Sequence, residues 1–273
     1  MLCLPPAGIA AGGQKQTLGR PATESTNMGF SNSGFDVRKR IGQWGEDTFT
    51  TYFSTHPEAR LTTLPYGEAY SGRKKQKGDA VARPDLLIVE TDVWQALVEG
   101  NTDKADQDLR KLPDDDPWVR EIVSRALVAA EVKFSHRAYV EGRVRFIVDE
   151  VRKKNYSDWL GRTEGIGEIV FWMTTTHAFM APIEQVLREG EQKVLVYESQ
   201  GRGKARSKNT WNLPVEKGLF FGEVTYELNR SLVPRFRMNS ESGAIDIELT
   251  DPPGSFVRPD IPGLRDLAAK VRR

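Results

Sequence analysis

The chain has 273 residues, 38% of them hydrophobic and 28% charged, and its formal net charge is +1. This length and composition predict one large α/β domain, or one domain with a substantial insertion, that can bury a core. A net charge so close to zero excludes a global polycation. Any affinity for nucleic acid must therefore come from local basic patches.

Cysteine and histidine usage restricts the metal chemistry. Cys3 is the only cysteine, so no disulfide can form within the chain, which favours a reducing cytoplasm. The three histidines are far apart and have no partner at metal-binding spacing, which argues against a zinc finger and against a histidine-metal nuclease. Any bound metal is expected to be a hard cation held by carboxylates.

The N-terminal region is predicted to lie outside the fold. Residues 1–33 are rich in Gly, Ser, Thr, Asn and Pro, and we expect a disordered tail. Its short apolar stretch lacks a preceding basic residue and is broken by Pro5 and Pro6, so it is a poor signal peptide. With no membrane span expected elsewhere, the sequence predicts a cytoplasmic protein without a membrane partner.

The next part of the chain predicts a helix, a hairpin and a buried strand. Apolar residues at helical spacing predict a helix over 36–54, with Asp36 as its N-cap. Residues 61–82 indicate a strand or hairpin with a basic tip. The unbroken apolar run 86–89, which directly follows Asp85, is typical of a buried central strand.

One segment admits two interpretations. Residues 127–134 read as a second buried strand, but their apolar residues also continue the helical spacing of a predicted helix that begins at Pro117. Only a strand places Glu131 and Lys133 on one face while Val132 points into the core. The assignment of any active site in this region depends on that choice.

The rest of the chain predicts further alternation of helices and strands. The predicted elements are a helix over 144–154, a buried strand over 166–174, a helix over 182–189, a short strand over 194–197, strands over 219–228, 233–238 and 245–249, and a final helix over about 261–271. The fold class that follows is α/β, with a central mixed β-sheet flanked by helices and a strand-rich C-terminal part.

The charged residues beside the two central strands are the candidate reactive groups. If the strands are neighbours, Asp85 and Glu131 can share one Mg²⁺, which takes oxygen ligands and keeps several waters. Such an ion activates water and stabilises the charged transition state of phosphodiester hydrolysis. Lys133 could orient or deprotonate the attacking water.

These residues carry a resemblance to a known family. Arg83-Pro84-Asp85 before Leu-Leu-Ile-Val, and Ala-Glu-Val-Lys-Phe-Ser around Glu131, resemble the PD-(D/E)xK nuclease superfamily. The resemblance implies that Asp85 and Glu131 are Mg²⁺ ligands, that Val132 offers its backbone carbonyl to the ion, and that Lys133 is the catalytic lysine.

The first helix extends this resemblance. Its Gly-Glu pair resembles the N-terminal helix whose acidic residue completes many of these sites, which makes Glu46 a further candidate. Residues 86–130 separate the two motifs, more than a short hairpin requires, so a helical insertion is expected at about 92–124.

The size and layout over about residues 36–175 resemble type II restriction endonucleases. This implies a restriction-endonuclease-like fold, with residues 34–273 as a single nuclease domain, a catalytic core over 36–175 and a DNA-recognition part over about 190–250. It further implies a double-stranded DNA substrate, a homodimer, and a companion DNA methyltransferase encoded nearby. The alternatives are a repair, recombination or methyl-directed nuclease of the same fold, and a catalytically inactive DNA-binding protein.

Two basic clusters are candidate DNA contacts, since such side chains neutralise phosphates and arginine can read base edges. Each could equally be a solvated turn or loop. The candidates are Arg73, Lys74, Lys75 and Lys77 in the first cluster and Arg202, Lys204, Arg206 and Lys208 in the second.

Overall fold

A computed structural model describes residues 33–67, 83–135, 137–163, 166–198, 205–225, 235–238, 245–248 and 253–272. Only the backbone is described at 33–41, 197–198, 205–206, 235–238 and 245–248. The predicted disordered tail lies outside these residues except for Ser33. None of the helices in the described ranges is both long and apolar enough to span a bilayer.

The described residues form helices and strands that alternate for most of the chain. In chain order they are α1 Ser33–Thr55, β1 Leu61–Pro65, β2 Leu86–Glu90, α2 Thr91–Glu99, α3 Pro117–Arg125, β3 Val128–Phe134, β4 Arg145–Asp149, α4 Glu150–Leu160, β5 Glu168–Met173, β6 His177–Pro182, α5 Ile183–Glu189, β7 Glu191–Glu198, β8 Ala205–Pro214, β9 Leu219–Thr225, β10 Arg235–Met238, β11 Ile245–Glu248, β12 Ser255–Val257 and α6 Ile261–Val271.

Seven of these strands form the main sheet, in the order β1-β2-β3-β5-β6-β9-β12. Among the described strands of this sheet, only β3 and β5 pair in parallel, so the sheet is mixed. The other described strands form a three-stranded sheet, in the order β4-β8-β7, and a two-stranded sheet of β10 and β11. The prediction of an α/β fold with a central mixed sheet and flanking helices is confirmed.

Apolar residues on both faces of the sheet explain the unbroken run in β2. Leu86 and Ile88 belong to a core cluster with residues of α1 and α6, whereas Leu87 and Val89 belong to a second cluster with residues of α3, α4 and α5. A strand that is covered on both faces needs apolar residues at every position, not only at alternate ones.

The structure resolves the choice between helix and strand at 127–134 in favour of the strand. Helix α3 ends at Arg125, and Ala126 is extended, with φ −62° and ψ 143°. Strand β3 then pairs antiparallel with β2 and parallel with β5. These two neighbours satisfy the backbone groups on both sides of the strand, which outweighs the helical spacing of its side chains.

Two local predictions are wrong. The segment predicted as a helix over 144–154 begins as strand β4, in which Phe146 and Val148 are buried at alternate positions, and becomes helical only at α4. Asp149 caps α4 by accepting a hydrogen bond from the Arg152 amide at 2.8 Å. Helix α1 begins at Ser33, so Asp36 lies inside it and is not its N-cap.

The predicted insertion consists of α2, α3 and an irregular connection between them. The buried side chain of Arg83 holds this connection against the rest of the domain. Arg83 ion-pairs with Asp114 and donates to the carbonyls of Leu109 at 2.9 Å and Leu112 at 2.7 Å. Its guanidinium also lies 4.6 Å from the Tyr66 ring centroid. The arginine of the Arg-Pro-Asp motif therefore has a structural role.

Helix α1 crosses β3 closely because Gly45 has no side chain. A Cβ at this position would lie 3.0 Å from the Cβ of Phe134 and 3.4 Å from Cγ1 of Val132. At Gly42, one turn earlier, a Cβ would meet nothing within 4 Å. The close crossing at Gly45 brings the next residue, Glu46, to the end of the sheet where Asp85 lies.

This pair of glycines gives a matched test of the crossing. Gly42→Ala should stabilise the protein by about 0.5–1 kcal/mol, because alanine favours the helix and costs no contact. Gly45→Ala gains the same helix propensity but pushes α1 away from β3, so we expect it to be less stable than Gly42→Ala by about 1–2 kcal/mol. Equal free energies of unfolding in urea for the two variants would contradict the close packing.

Candidate active site

The register of β2 and β3 brings the two candidate carboxylates together. Leu86 pairs with Ala130 and Leu87 with Ala129, so Asp85, one residue before the strand, lies opposite Glu131. The amide of Val132 donates to Oδ2 of Asp85 at 2.8 Å. The predicted adjacency of the two motifs is therefore present despite the insertion between them.

The end of β1 holds the backbone of Asp85 in place. The amides of Tyr66 and Gly67 both donate to the Asp85 carbonyl at 3.0 Å. A Cβ at Gly67 would lie 2.9 Å from the Pro84 carbonyl oxygen and 3.0 Å from the Asp85 Cα. Only a glycine allows this approach without a shift of the backbone that carries the aspartate.

Lys133 bridges the two acidic side chains. Its Nζ ion-pairs with Oε1 of Glu131 and lies 4.0 Å from Oδ2 of Asp85. Three groups from two neighbouring strands thus converge on one point, with Glu131 7% exposed, Asp85 22% and Lys133 43%.

Two charged residues that the sequence analysis did not select complete the cluster. Arg152, in the first turn of α4, places Nη2 2.9 Å from Oε2 of Glu131 and ion-pairs with Glu168 at the start of β5. Glu168 could have been noticed, because a carboxylate inside an apolar strand needs a partner. No sequence spacing indicated Arg152.

Burial and mutual repulsion shift the ionisation of the acidic groups. Burial, and then the charge of Glu131, raises the pKa of Asp85 to about 7. Burial, and then Asp85, raises the pKa of Glu46 to about 8. Burial opposes ionisation of Glu131 most strongly, yet Lys133 and Arg152 outweigh it and hold its pKa below the usual value.

The basic groups stay charged. Burial disfavours the Lys133 ammonium, but Glu131 and Asp85 more than compensate and raise its pKa above the ordinary value. Burial also lowers the pKa of the Arg152 guanidinium, but Glu131 and Glu168 outweigh this effect and raise that pKa above its ordinary value. The cluster therefore combines one ionised carboxylate, two cations, and carboxyls that can lose a proton near neutral pH.

The donor set fits a Mg²⁺ ion. Within the described ranges, no three His, Cys, Asp or Glu side chains form a ready-made ligand cage. Mg²⁺ does not need one, since it usually takes one or two carboxylates and keeps its waters. Asp85 and Glu131 supply two carboxylates of this kind, and both lie beside the ammonium of Lys133. Coordination of the ion by the backbone carbonyl of Val132 stays a prediction.

Most of the candidate DNA contacts lie beyond the described residues. Of the second basic cluster, Arg206 lies in β8 with only its backbone described, and Lys208 in β8 places Nζ 2.7 Å from Oδ2 of Asp149. The candidates outside the described ranges are Arg73, Lys74, Lys75, Lys77, Arg202 and Lys204.

The raised pKa values predict that the ion-free protein loses stability as the pH rises. Asp85 and Glu46 bind protons in the folded state up to about pH 7 and about pH 8, whereas their ordinary values are 3.8 and 4.5. Their contribution to stability is therefore present below the ordinary values and is lost as the pH rises through the raised ones.

Glu46→Gln should flatten this dependence. In chelator, its free energy of unfolding should match that of the wild type near pH 4 and exceed it near pH 8.5, because the neutral amide has no proton to lose. Glu121→Gln, which alters an exposed carboxylate on α3, should leave the slope unchanged. A wild-type slope that persists in Glu46→Gln would show that Glu46 is not held protonated beside Asp85.

No protein-family model, curated protein or solved structure matches this chain significantly. Its function therefore has to be inferred from the geometry and electrostatics of its own residues.

Proposed function

We propose that the protein is a Mg²⁺-dependent DNA endonuclease of the PD-(D/E)xK kind, with a restriction-endonuclease-like fold. The observation that carries the proposal is the meeting of Asp85, Glu131 and Lys133 at the end of two neighbouring strands. Placing several charged groups in a mostly buried position costs stability, and such clusters are found chiefly where the charges serve a function.

The residues divide the chemistry of phosphodiester hydrolysis among them. Asp85 and Glu131 would hold a Mg²⁺ ion, which would supply a Lewis acid and a bound water of lowered pKa. Lys133 is well placed to hold the attacking water and to face the negative charge of the transition state. In the ion-free site Glu131 and Asp85 raise the pKa of Lys133, so its side chain is an ammonium that can donate a hydrogen bond to the attacking water.

Glu46 adds a group that can exchange a proton near neutral pH. Its pKa of about 8 means that it is mostly protonated when no ion is bound. A divalent cation beside Asp85 would favour its ionised form, and it could then accept a proton from water or join the ligands of the ion. This supports its role as the fourth member of the site.

The antiparallel hairpin strands β7 and β8 support double-stranded DNA as the substrate. Strand β4 pairs with Thr210–Pro214 of β8, whereas β7 pairs with β8 as far as Glu198↔Ala205. The outer part of this hairpin is thus a two-stranded ribbon, and Val194, Leu195 and Val196 are exposed on it. A two-stranded ribbon fits the major groove. Arg206 and Lys208 of the second basic cluster lie on β8, and Arg202 and Lys204 come shortly before β8 in the sequence.

The finer assignment is a site-specific type II restriction enzyme that works as a homodimer. Two copies related by a two-fold axis match a palindromic site and can cut both strands. A DNA methyltransferase encoded nearby would protect the host. A repair or methyl-directed nuclease and an inactive DNA-binding protein are the alternatives that an experiment must separate.

Cleavage of phage DNA tests the proposal. The wild type should cut with Mg²⁺ and stop cutting in EDTA. Asp85→Asn and Lys133→Met should each lose at least about a thousandfold in rate, because the residues of such a site act as a unit. Asp92→Asn, which changes an exposed carboxylate just after β2, should cut like the wild type.

The products separate the alternatives. Discrete fragments indicate a restriction enzyme, and a smear indicates a nuclease without strict sequence preference. Intact but shifted DNA, or cutting that survives Asp85→Asn, would overturn the proposed active site.

A further inference from the structure

Glu131 is held on both sides by cations that differ in their freedom to move. Lys133 contacts Oε1, and its side chain is 43% exposed. Arg152 contacts Oε2, and its side chain is 12% exposed. A ligand that arrives from solvent can displace the first cation much more easily than the second.

The position of Arg152 is fixed from two directions. Its amide donates to Asp149, the residue that links β4 directly to α4. Its guanidinium ion-pairs with Glu168, whose side chain is fully buried. Within the described part of the chain, Oε2 of Glu168 and Nε of Arg152 have no hydrogen-bond partner. Each side chain of this pair therefore has one buried polar atom next to the site that is not hydrogen-bonded.

In a two-metal site, a carboxylate bridges two ions that lie about 3.5–4 Å apart. Glu131 is the residue that could bridge here, because Asp85 meets it on one side and Glu168 lies on the other. The guanidinium of Arg152 already lies between Glu131 and Glu168, at ion-pair distance from both.

We propose that Arg152 is a positioning residue that takes the place of a second divalent ion, so that the site accepts one metal ion per chain. The inference rests on the proposed function and concerns how its metal site is built. Asp85 and the Oε1 side of Glu131 remain for the one ion, which displaces the ammonium of Lys133. The Oε2 side of Glu131 stays neutralised by a cation that cannot dissociate.

Counting bound Mn²⁺ tests this inference without reference to activity. We expect the full-length wild type to bind one Mn²⁺ per chain by calorimetry and electron paramagnetic resonance. Arg152→Gln removes the cation between Glu131 and Glu168 and should bind two. Arg152→Gln combined with Glu168→Gln should return to one, because the second ion then lacks a second carboxylate.

The outcomes are decisive. The inference would be overturned if the wild type bound two ions, or if Arg152→Gln bound one ion with unchanged affinity. Arg152 would then serve only as the partner of a structural ion pair. If Arg152→Gln does not fold, Arg152→Lys is measured in its place. We expect Arg152→Lys to bind one Mn²⁺ about tenfold more weakly than the wild type. An unchanged affinity for Mn²⁺ would overturn the inference.

Failure of the inference can be distinguished from failure of the proposed function. A wild type that binds no Mn²⁺ and cuts no DNA contradicts both. A wild type that cuts DNA with Mg²⁺, while Arg152→Gln still binds one ion with unchanged affinity, contradicts the role of Arg152 alone.

Discussion

The pairing of β2 with β3 is the constraint on which the site depends. One register places Asp85 opposite Glu131, and the Val132 amide fixes the aspartate by a hydrogen bond of 2.8 Å. A slip of one residue would turn Glu131 and Lys133 to the opposite face of the sheet. The apolar residues on both faces of β2 make such a slip costly, so the core that stabilises the fold also sets the geometry of the reactive groups.

The charges of the cluster compensate one another only in part. Glu131 is ionised between two cations, whereas burial raises the pKa of Asp85 to about 7 and that of Glu168 to about 7. A protein under selection for stability alone would gain by replacing such groups with apolar ones. A divalent cation changes the balance, because it favours the ionised form of each carboxylate near it. Destabilisation of the ion-free site and affinity for a cation then have the same physical origin.

Much of this arrangement could be predicted from the sequence, because it depends on local periodicity. Alternation along a strand placed Glu131 and Lys133 together, and the apolar run after Asp85 identified its strand. Arg152 could not be predicted, because its position depends on the change from β4 to α4 at Asp149, and residues 144–154 read as one helix. Glu168 reaches the site only because β5 lies parallel to β3, a pairing that no local pattern specifies.

A crystal structure of the protein soaked with Mn²⁺ would test the central claim most directly, since anomalous scattering locates the ion without any assumption about function. The account predicts one peak per chain within about 2.0–2.6 Å of carboxylate oxygens from both Asp85 and Glu131. Lys133 should then be displaced from Glu131, and Arg152 should remain in place. A peak bound elsewhere, or Asp85 and Glu131 still joined only by Lys133 at saturating Mn²⁺, would contradict it.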